Sequence, residues 1–385
     1  MLAEPVRSDI DLPPFERSAM DGFAVRAADF AEVSEGRTLA CVGEARAGEP
    51  FTGRIGAGEC VAIYTGAEVP ADCDAVVMVE RTQQDGDEVR IEGTCRAGEH
   101  VSHRGEILAV DREVYPAGHR ISAVDLSVLA SVGCDPVPVR PRVRVSILTT
   151  GDELVRAAEK PGPGQIREGN TLYLAAAARA VGAEVLRVGI LPDDPGALRA
   201  AFAEALEAGD ALVTTGGVSA GKYDLVGAAL EAIGVKPVLH KVAIKPGKPI
   251  WFGMSGAKPV FGLPGNPVSA MLGFEVFVRP ALARLGGASA SEQGERLRRA
   301  RWMGAPPRAG DRQQNLPATL AHGADGVLEL RPLKWMGSAD IVGLGRAQAL
   351  AVVPAGVPVE TGQMIDYRPL EFLHTAERPV GAGDA

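Results

Sequence analysis

The chain has 385 residues, 46% hydrophobic and 5% aromatic, with a formal net charge of −9 and a pI near 5.3. That length exceeds one ordinary core and predicts about two to four domains. The acidic balance argues against nonspecific nucleic-acid binding, so any anionic ligand needs a locally basic pocket.

No apolar run approaches a membrane span, and the N-terminus MLAEPVRSDID has no signal-peptide pattern. Cys41, Cys60, Cys73, Cys95 and Cys134 are widely spaced, which offers neither a zinc site nor a disulfide framework. The reading is of a cytoplasmic protein with buried or incidental thiols, whose partner is a small molecule and neither a membrane nor a nucleic acid.

Residues 1–140 carry short alternating runs, VAIYT, DAVVMVE and DEVRIE, separated by turn signals, as in a small β domain. Within LPPFERSAMDGFAVR, Asp21 precedes Gly22. An Asp-Gly pair usually makes a turn, yet Ser18-Ala19-Met20 is too apolar for a free surface loop, which favours a functional Asp21. Residues 119–133 read as a helix with Ile121, Val124, Leu126, Leu129 and Val132 on its apolar face and Gly133 as its stop.

From about residue 142 strands alternate with helices. VRVSILTTG is a buried strand. NTLYLAAAARAVG is a helix capped by Asn170 or Thr171 and ended by Gly182. AEVLRVGIL is a strand, and DPGALRAAFAEALEAG is a helix with Asp194 as cap and Pro195 at its first position. The alternation predicts right-handed βαβ units and a doubly wound sheet, whose ligands bind beyond the carboxyl ends of the strands. After the polar stretch SASEQGE, the runs GVLELRPL, ALAVVP and MIDYRPL predict a small terminal β-barrel or sandwich.

Five loops of the α/β part could carry chemistry. The strand DALVT ends in Thr215-Gly216-Gly217 and leads through Ser219 and Lys222 to Asp224. Glycines let backbone N–H groups approach an anion, and a following helix N-terminus favours negative charge. The acid in the same loop suits a metal or a base; the bland alternative is an ordinary strand-to-helix turn. Thr149-Thr150-Gly151-Asp152-Glu153 and Asp193-Asp194 add acids at strand ends, although Asp194 reads equally as a helix cap and Glu153 as a residue of a helix first turn. In KVAIKPGKPIWFG, Lys241, Lys245 and Lys248 stand on a loop stiffened by proline, suited to an oxyanion, or simply a solvated hairpin tip. Pro264-Gly265-Asn266-Pro267 makes a rigid turn into a helix, with Asn266 as cap and free N–H groups for another anion; the alternative is a well-capped buried helix.

SAMDGFAVR, IYTGAEVPADCDAVVMVE, RPRVRVSILTTGDEL, GQIREGN, TTGGVSAGKYD, VAIKPGKP and GLPGNPVSA occur in the order in which the molybdopterin molybdenumtransferase family, which includes the E-domain of gephyrin, carries them. The chain resembles that family over nearly its whole length. The resemblance implies a multidomain α/β plus β protein. It assigns 7–108 to an N-terminal inserted β domain and 1–6 with 109–140 to a small helical linking domain. Residues 141–286 become a doubly wound molybdopterin-binding domain, 287–372 a C-terminal β-barrel domain and 373–385 a tail.

The implied reaction takes adenylylated molybdopterin and molybdate with Mg²⁺, cleaves the pyrophosphate bond, releases AMP and places molybdenum on the dithiolene sulfurs. The implied partners are a second copy of the chain, in a homodimer, and the molybdopterin adenylyltransferase. By position in the motifs, Asp21, Glu153, Asp194, Asp224, Lys241 and Lys245 match catalytic positions. Thr65, Gly216, Gly217, Ser219, Lys248, Pro264, Pro267 and Ser338 match substrate contacts, and Asp224 and Glu153 match metal positions.

Three departures stand out. Arg104-Gly105-Glu106-Ile107 lacks the family's aspartate, for which Glu106 or Asp111 could substitute. Val342-Gly343 stands where relatives often carry hydroxyls. The chain also starts where relatives have already completed an N-terminal helical segment that supports dimerisation. Tungsten insertion and a non-catalytic scaffold are the alternative readings.

Overall fold

A computed structural model describes residues 1–31, 36–217, 225–288 and 297–370. Two compact units divide the chain, one of residues 2–139 and one of residues 140–385 together with Met1.

The first unit is built on strands β1 (Gly22–Val25), β2 (Arg37–Ala45), β3 (Glu59–Ile63), β4 (Ala75–Met78), β5 (Thr82–Asp85) and β6 (Glu88–Ile91). Among the described residues they form one sheet in the order β4-β1-β3-β2-β6-β5, antiparallel except between β2 and β3. Side chains alternate across a strand, and here both faces are covered. Phe23, Val25, Cys60 and Val77 enter one core, while Ala24, Val61, Ile63 and Val76 enter the other. Burial pushes the thiols of Cys60 and Cys73 up to about 12 and that of Cys95 up to about 11, so these three are packing groups.

Helix α1 spans Ala123–Ser131, shorter than the periodicity of 119–133 predicts. Ser122 caps it and Asp125 returns the bond to the Ser122 amide, a capping box that fixes the start. Leu129 and Val132 are buried as expected, but Val124 is 72% and Leu126 56% exposed, so the predicted apolar face is only half used in this unit.

The second unit opens with β7 (Arg144–Thr150), α2 (Asn170–Ala180), β8 (Glu184–Leu191), α3 (Pro195–Ala208), β9 (Ala211–Thr215) and α4 (Leu225–Ala232). It continues with β10 (Lys236–His240), β11 (Ile244–Lys245), β12 (Trp251–Ser255), β13 (Lys258–Leu263), α5 (Pro267–Gly273), a π turn over Phe274–Val278 and α6 (Arg279–Leu285). Its sheet runs β8-β7-β9-β13-β12-β10, with the first four strands parallel. Helices α2, α5 and α6 cover one face and α3 and α4 the other, each burying its own cluster. The doubly wound expectation therefore holds. Strand order reverses between β7 and β9, the switch point at which such sheets leave a crevice.

The caps differ in part from expectation. Asp194 caps α3 by accepting from the Ala197 amide at 2.7 Å. Helix α2 is instead held by Glu168, whose carboxylate takes the Thr171 amide at 2.8 Å and hydroxyl at 2.6 Å, because Asn170 turns away to neighbouring loops. Asn266 occupies the cap position of α5, but its side chain makes no cap bond.

The rest of the unit contains β14 (Arg298–Trp302), β15 (Gln313–His322), β16 (Leu328–Pro332), the short helix α7 (Ile341–Leu344), β17 (Ala349–Val353) and β18 (Met364–Pro369). Pairings run β15-β16-β14-β18-β17 and back from β17 to β15, a closed barrel of five strands. Closure removes the free edges. Period-two alternation lets one strand serve two cores: Ala349, Ala351 and Val353 fill the barrel, whereas Leu350 joins the cluster under the α/β sheet. Strand β11 adds to the barrel at β15, pairing Ile244 with Gln313 and Lys245 with Gln314.

Candidate active site

The carboxyl ends of β7, β9 and β13 converge. At the end of β7, the Thr149 hydroxyl donates to the Thr215 carbonyl at 3.1 Å. After β9, Gly216 adopts φ 88°, where a Cβ would meet the Thr150 carbonyl at 2.4 Å, so only glycine fits. Its amide donates to Leu263 at the end of β13, and Gly265 lies against the Gly216 Cα.

A cavity of about 820 Å³ opens over this junction. Thr150, Glu153, Asn170, Tyr173, Gly216 and Pro267 contribute to its wall, with Ile341 and Leu344 of α7 on the barrel side. Tyr173 donates its hydroxyl to Glu275, which Arg279 also grips with two bonds. Burial first and the Glu275 charge second hold the Tyr173 phenol well above its ordinary range, so it stays a neutral donor.

On the other side of the Pro264–Pro267 turn lies a second cavity of about 480 Å³. Lys245, Lys248 and Arg312 bring three cations to its wall, joined by Ser269, Trp335 and Ser338. Gly247, at φ 104°, makes the turn between the two lysines. Asn266 lines both cavities, so the turn is their common wall. Ser338 pins that wall from the barrel side: its hydroxyl accepts from Asn266 at 3.1 Å and its carbonyl from the Val268 amide at 3.0 Å. The expected free N–H groups at the start of α5 thus already include one that is taken by protein.

The structure gathers many of the sequence candidates and leaves others apart. Glu153, Gly216 and Pro267 line the larger cavity; Lys245, Lys248, Pro264 and Ser338 line the basic one. Gly217 follows Gly216 at φ 60° and packs on Val226. Lys241 sits at φ 81°, upstream of the lysine turn and outside the residues lining either cavity. Asp194 is the α3 cap, while its neighbour Asp193 accepts a hydrogen bond from the Thr150 hydroxyl. Ser219 and Asp224 lie outside the described residues.

In the first unit, Asp21 accepts from both the amide and the hydroxyl of Thr65, each at 2.7 Å. The Thr65 amide, then its hydroxyl, hold the Asp21 carboxyl below its ordinary 3.8. Glu106 closes a local turn on the His103 amide at 2.9 Å, Ile107 is exposed, and Asp111 takes a left-handed φ of 64°. Val342 is exposed, and Gly343 donates to the α7 cap Asp340 at 2.8 Å.

Sequence reasoning missed Arg312 and Trp335, because only the long-range pairing of β11 with β15 brings the barrel to the lysine loop. Among the described residues no group of three or more His, Cys, Asp or Glu could hold a metal, and no helix is long and apolar enough to cross a membrane. Mg²⁺ usually takes only one or two carboxylates and completes its shell with water and substrate phosphate. Glu153 in the larger cavity fits that requirement.

A doubly wound domain with a crevice at its switch point, followed by a closed barrel, defines a multidomain α/β plus β-barrel protein with a ligand site at the sheet's switch point. Residues 146–284 match the family model of a probable molybdopterin binding domain, and residues 1–133 match the model of the MoeA N-terminal region, domains I and II. The chain is 34% identical over 362 residues to the molybdopterin molybdenumtransferase of Nostoc sp., covering 92% of this chain and 83% of that one. It is 33% identical over 390 residues to molybdopterin molybdenumtransferase 1 of Mycobacterium tuberculosis, covering 95% and 91%. A solved molybdopterin biosynthesis MoeA protein from Pyrococcus horikosii superposes with a TM-score of 0.82 at 31% identity, over 96% of this chain and 91% of that one. The chain belongs to the molybdopterin molybdenumtransferase family.

Proposed function

We propose that this transferase of molybdenum cofactor biosynthesis inserts molybdenum from molybdate into adenylylated molybdopterin, cleaving the pyrophosphate bond and releasing AMP. The observation that supports this most is the pairing of two cavities across one wall. The larger has the volume for an extended organic ligand and carries Glu153; the smaller carries three cations.

In this reading Lys245 and Lys248 neutralise the oxyanion, aided by Arg312, and Ser338 stands beside it. Both lysines are exposed, so their attraction acts at short range and is screened by salt, and the turn at Gly247 fixes how their stems leave the backbone. Gly217, with Ser219, would meet the phosphate bridge, while Gly216, whose amide is given to Leu263, shapes the cavity wall, and Pro264 and Pro267 keep the dividing turn stiff. Glu153 and Asp224 would hold Mg²⁺, which when bound polarises the pyrophosphate and neutralises the leaving phosphate. Asp21 and Thr65 enter as the family's paired functional residues, Asp21 as an ionised carboxylate. Lys241 enters as a supporting cation; Asp194 keeps its role as the α3 cap and leaves the acid at this strand end to Asp193. The reading also takes the active species as a homodimer supplied by the molybdopterin adenylyltransferase.

The test incubates purified protein with adenylylated molybdopterin, Mg²⁺ and molybdate, with tungstate in a parallel reaction. Molybdate-dependent AMP release together with active cofactor supports the reading. Ligand binding without turnover supports a non-catalytic scaffold instead, and equal turnover with tungstate widens the substrate class. Asp224→Ala should abolish turnover while the protein stays folded; near-normal activity removes Asp224 from the mechanism.

A further inference from the structure

The wall between the two cavities is a short turn, and its position depends on what holds it. Ser338 holds it from the barrel side. From the α/β side the fixing group is Asn170. Its side-chain amide donates to the Gly265 carbonyl at 2.7 Å and to the Thr215 hydroxyl at 3.2 Å. That hydroxyl in turn donates to the Pro264 carbonyl at 3.0 Å, and Thr215 is fully buried.

Asn170 itself is rigidly placed. It opens α2, and the next residue, Thr171, is locked by two hydrogen bonds to buried Glu168. Three loops that belong to different βα units therefore meet at one amide: the start of α2, the end of β9 and the turn after β13. No helix-capping role explains this geometry, because the Asn170 side chain points away from the α2 amides and into the junction.

We propose that Asn170 is a positioning residue, which clamps the Pro264–Asn266 wall onto the glycine loop and so sets the distance between the two ligands. The inference rests on the functional reading above for what the ligands are. The clamp itself does not depend on it. Without the clamp each cavity keeps its own binding groups, since neither the lysines nor Glu153 bond to Asn170. What is lost is the alignment of an oxyanion on one side with a bound sulfur ligand on the other, and misplacement of that kind acts on turnover more than on binding.

The experiment compares the full chain with Asn170→Ala, Thr215→Val and the conservative Thr215→Ser. Hydrogen–deuterium exchange read on peptides spanning residues 261–268 should accelerate about tenfold in Asn170→Ala and Thr215→Val, the scale expected for two lost hydrogen bonds, and stay near wild type in Thr215→Ser. In the molybdenum insertion assay the same two variants should lose about tenfold in kcat with KM for molybdate within about twofold. Unchanged exchange in both variants overturns the clamp. Accelerated exchange with wild-type kcat, or a loss carried equally by KM for molybdate, overturns the positioning role. Absence of turnover in the wild type sinks the functional reading instead, and the exchange result still decides the clamp.

Discussion

Gly216 shows how far one residue can be argued from backbone geometry. At φ 88°, with the Thr150 carbonyl 2.4 Å from any added Cβ, alanine meets both conformational strain and a clash with backbone. Gly216→Ala should cost about 1–3 kcal/mol of stability. It should also lower turnover, since the displaced atoms belong to the cavity wall. Urea unfolding and the insertion assay check the two effects, and a variant matching wild type in both would show that the loop relaxes freely. The acids at the strand ends divide in a way the sequence left open. Asp194 and Asp193 both read as candidates from the pair alone. In three dimensions Asp194 is occupied by the Ala197 amide, whereas Asp193 meets the Thr150 hydroxyl beside the larger cavity. Asp194→Ala is therefore expected to cost about 1 kcal/mol, as lost caps do, with turnover kept within a few fold. Asp193→Ala is expected to reduce turnover more than stability. The opposite pattern would return the chemical role to Asp194.

At the scale of single elements, most of the secondary structure was legible and most of the tertiary bonding was not. The β7–α2–β8–α3–β9 alternation follows from buried apolar runs separated by glycine stops, so the doubly wound sheet could be read directly, whereas the strand order that sets its switch point emerged only from the pairing. Capping rules placed Asn170, Thr171 and Asn266 as helix caps from residue type and position. They failed at Asn170 and Asn266 because each side chain found a partner on another loop, 45 to 95 residues away for Asn170 and 72 for Asn266, and at Thr171 because its hydroxyl donates to the nearby Glu168 carboxylate. Helix α1 was over-extended for a related reason: its apolar periodicity continues past Ser122, but the Ser122–Asp125 box fixes the boundary. Asp125 also accepts from Tyr115 at 2.7 Å and contacts the His119 ring at 3.0 Å. The Ser122 amide first, then Tyr115 and His119, hold its carboxyl well below the ordinary 3.8. A depressed folded pKa gives stability that is present above the unfolded value and is lost as pH falls through the folded one. Asp125→Asn should accordingly unfold at lower urea than wild type at pH 7, with the gap narrowing as pH falls below about 4. A gap that stays constant with pH would mean that the carboxylate charge contributes nothing.

For the molecule as a whole, the two units each have cores of their own, so calorimetry should resolve more than one unfolding transition. Molybdate at about 100 times its dissociation constant should raise the transition of residues 140–370 by about 2.7 kcal/mol and leave the other in place. A single transition that moves as one would instead mean that the units unfold together. The basic cavity could not be found from sequence at this scale, because its members are split between a loop of the α/β domain and the barrel. Lys245 and Lys248 come from the first; Arg312, Trp335 and Ser338 come from the second. That division has an evolutionary consequence. The closed barrel carries part of the basic cavity and, among the described residues, meets the α/β domain at a two-residue strand, at the turn pinned by Ser338 and in a shared apolar cluster. Recombination that exchanged barrels between relatives would transplant that part intact. Under the proposed function, chimeras joined near residue 297 should keep the lysines of one parent and take Arg312, Trp335 and Ser338 from the other, so their preference among tetrahedral oxyanions should fall between those of the two parents.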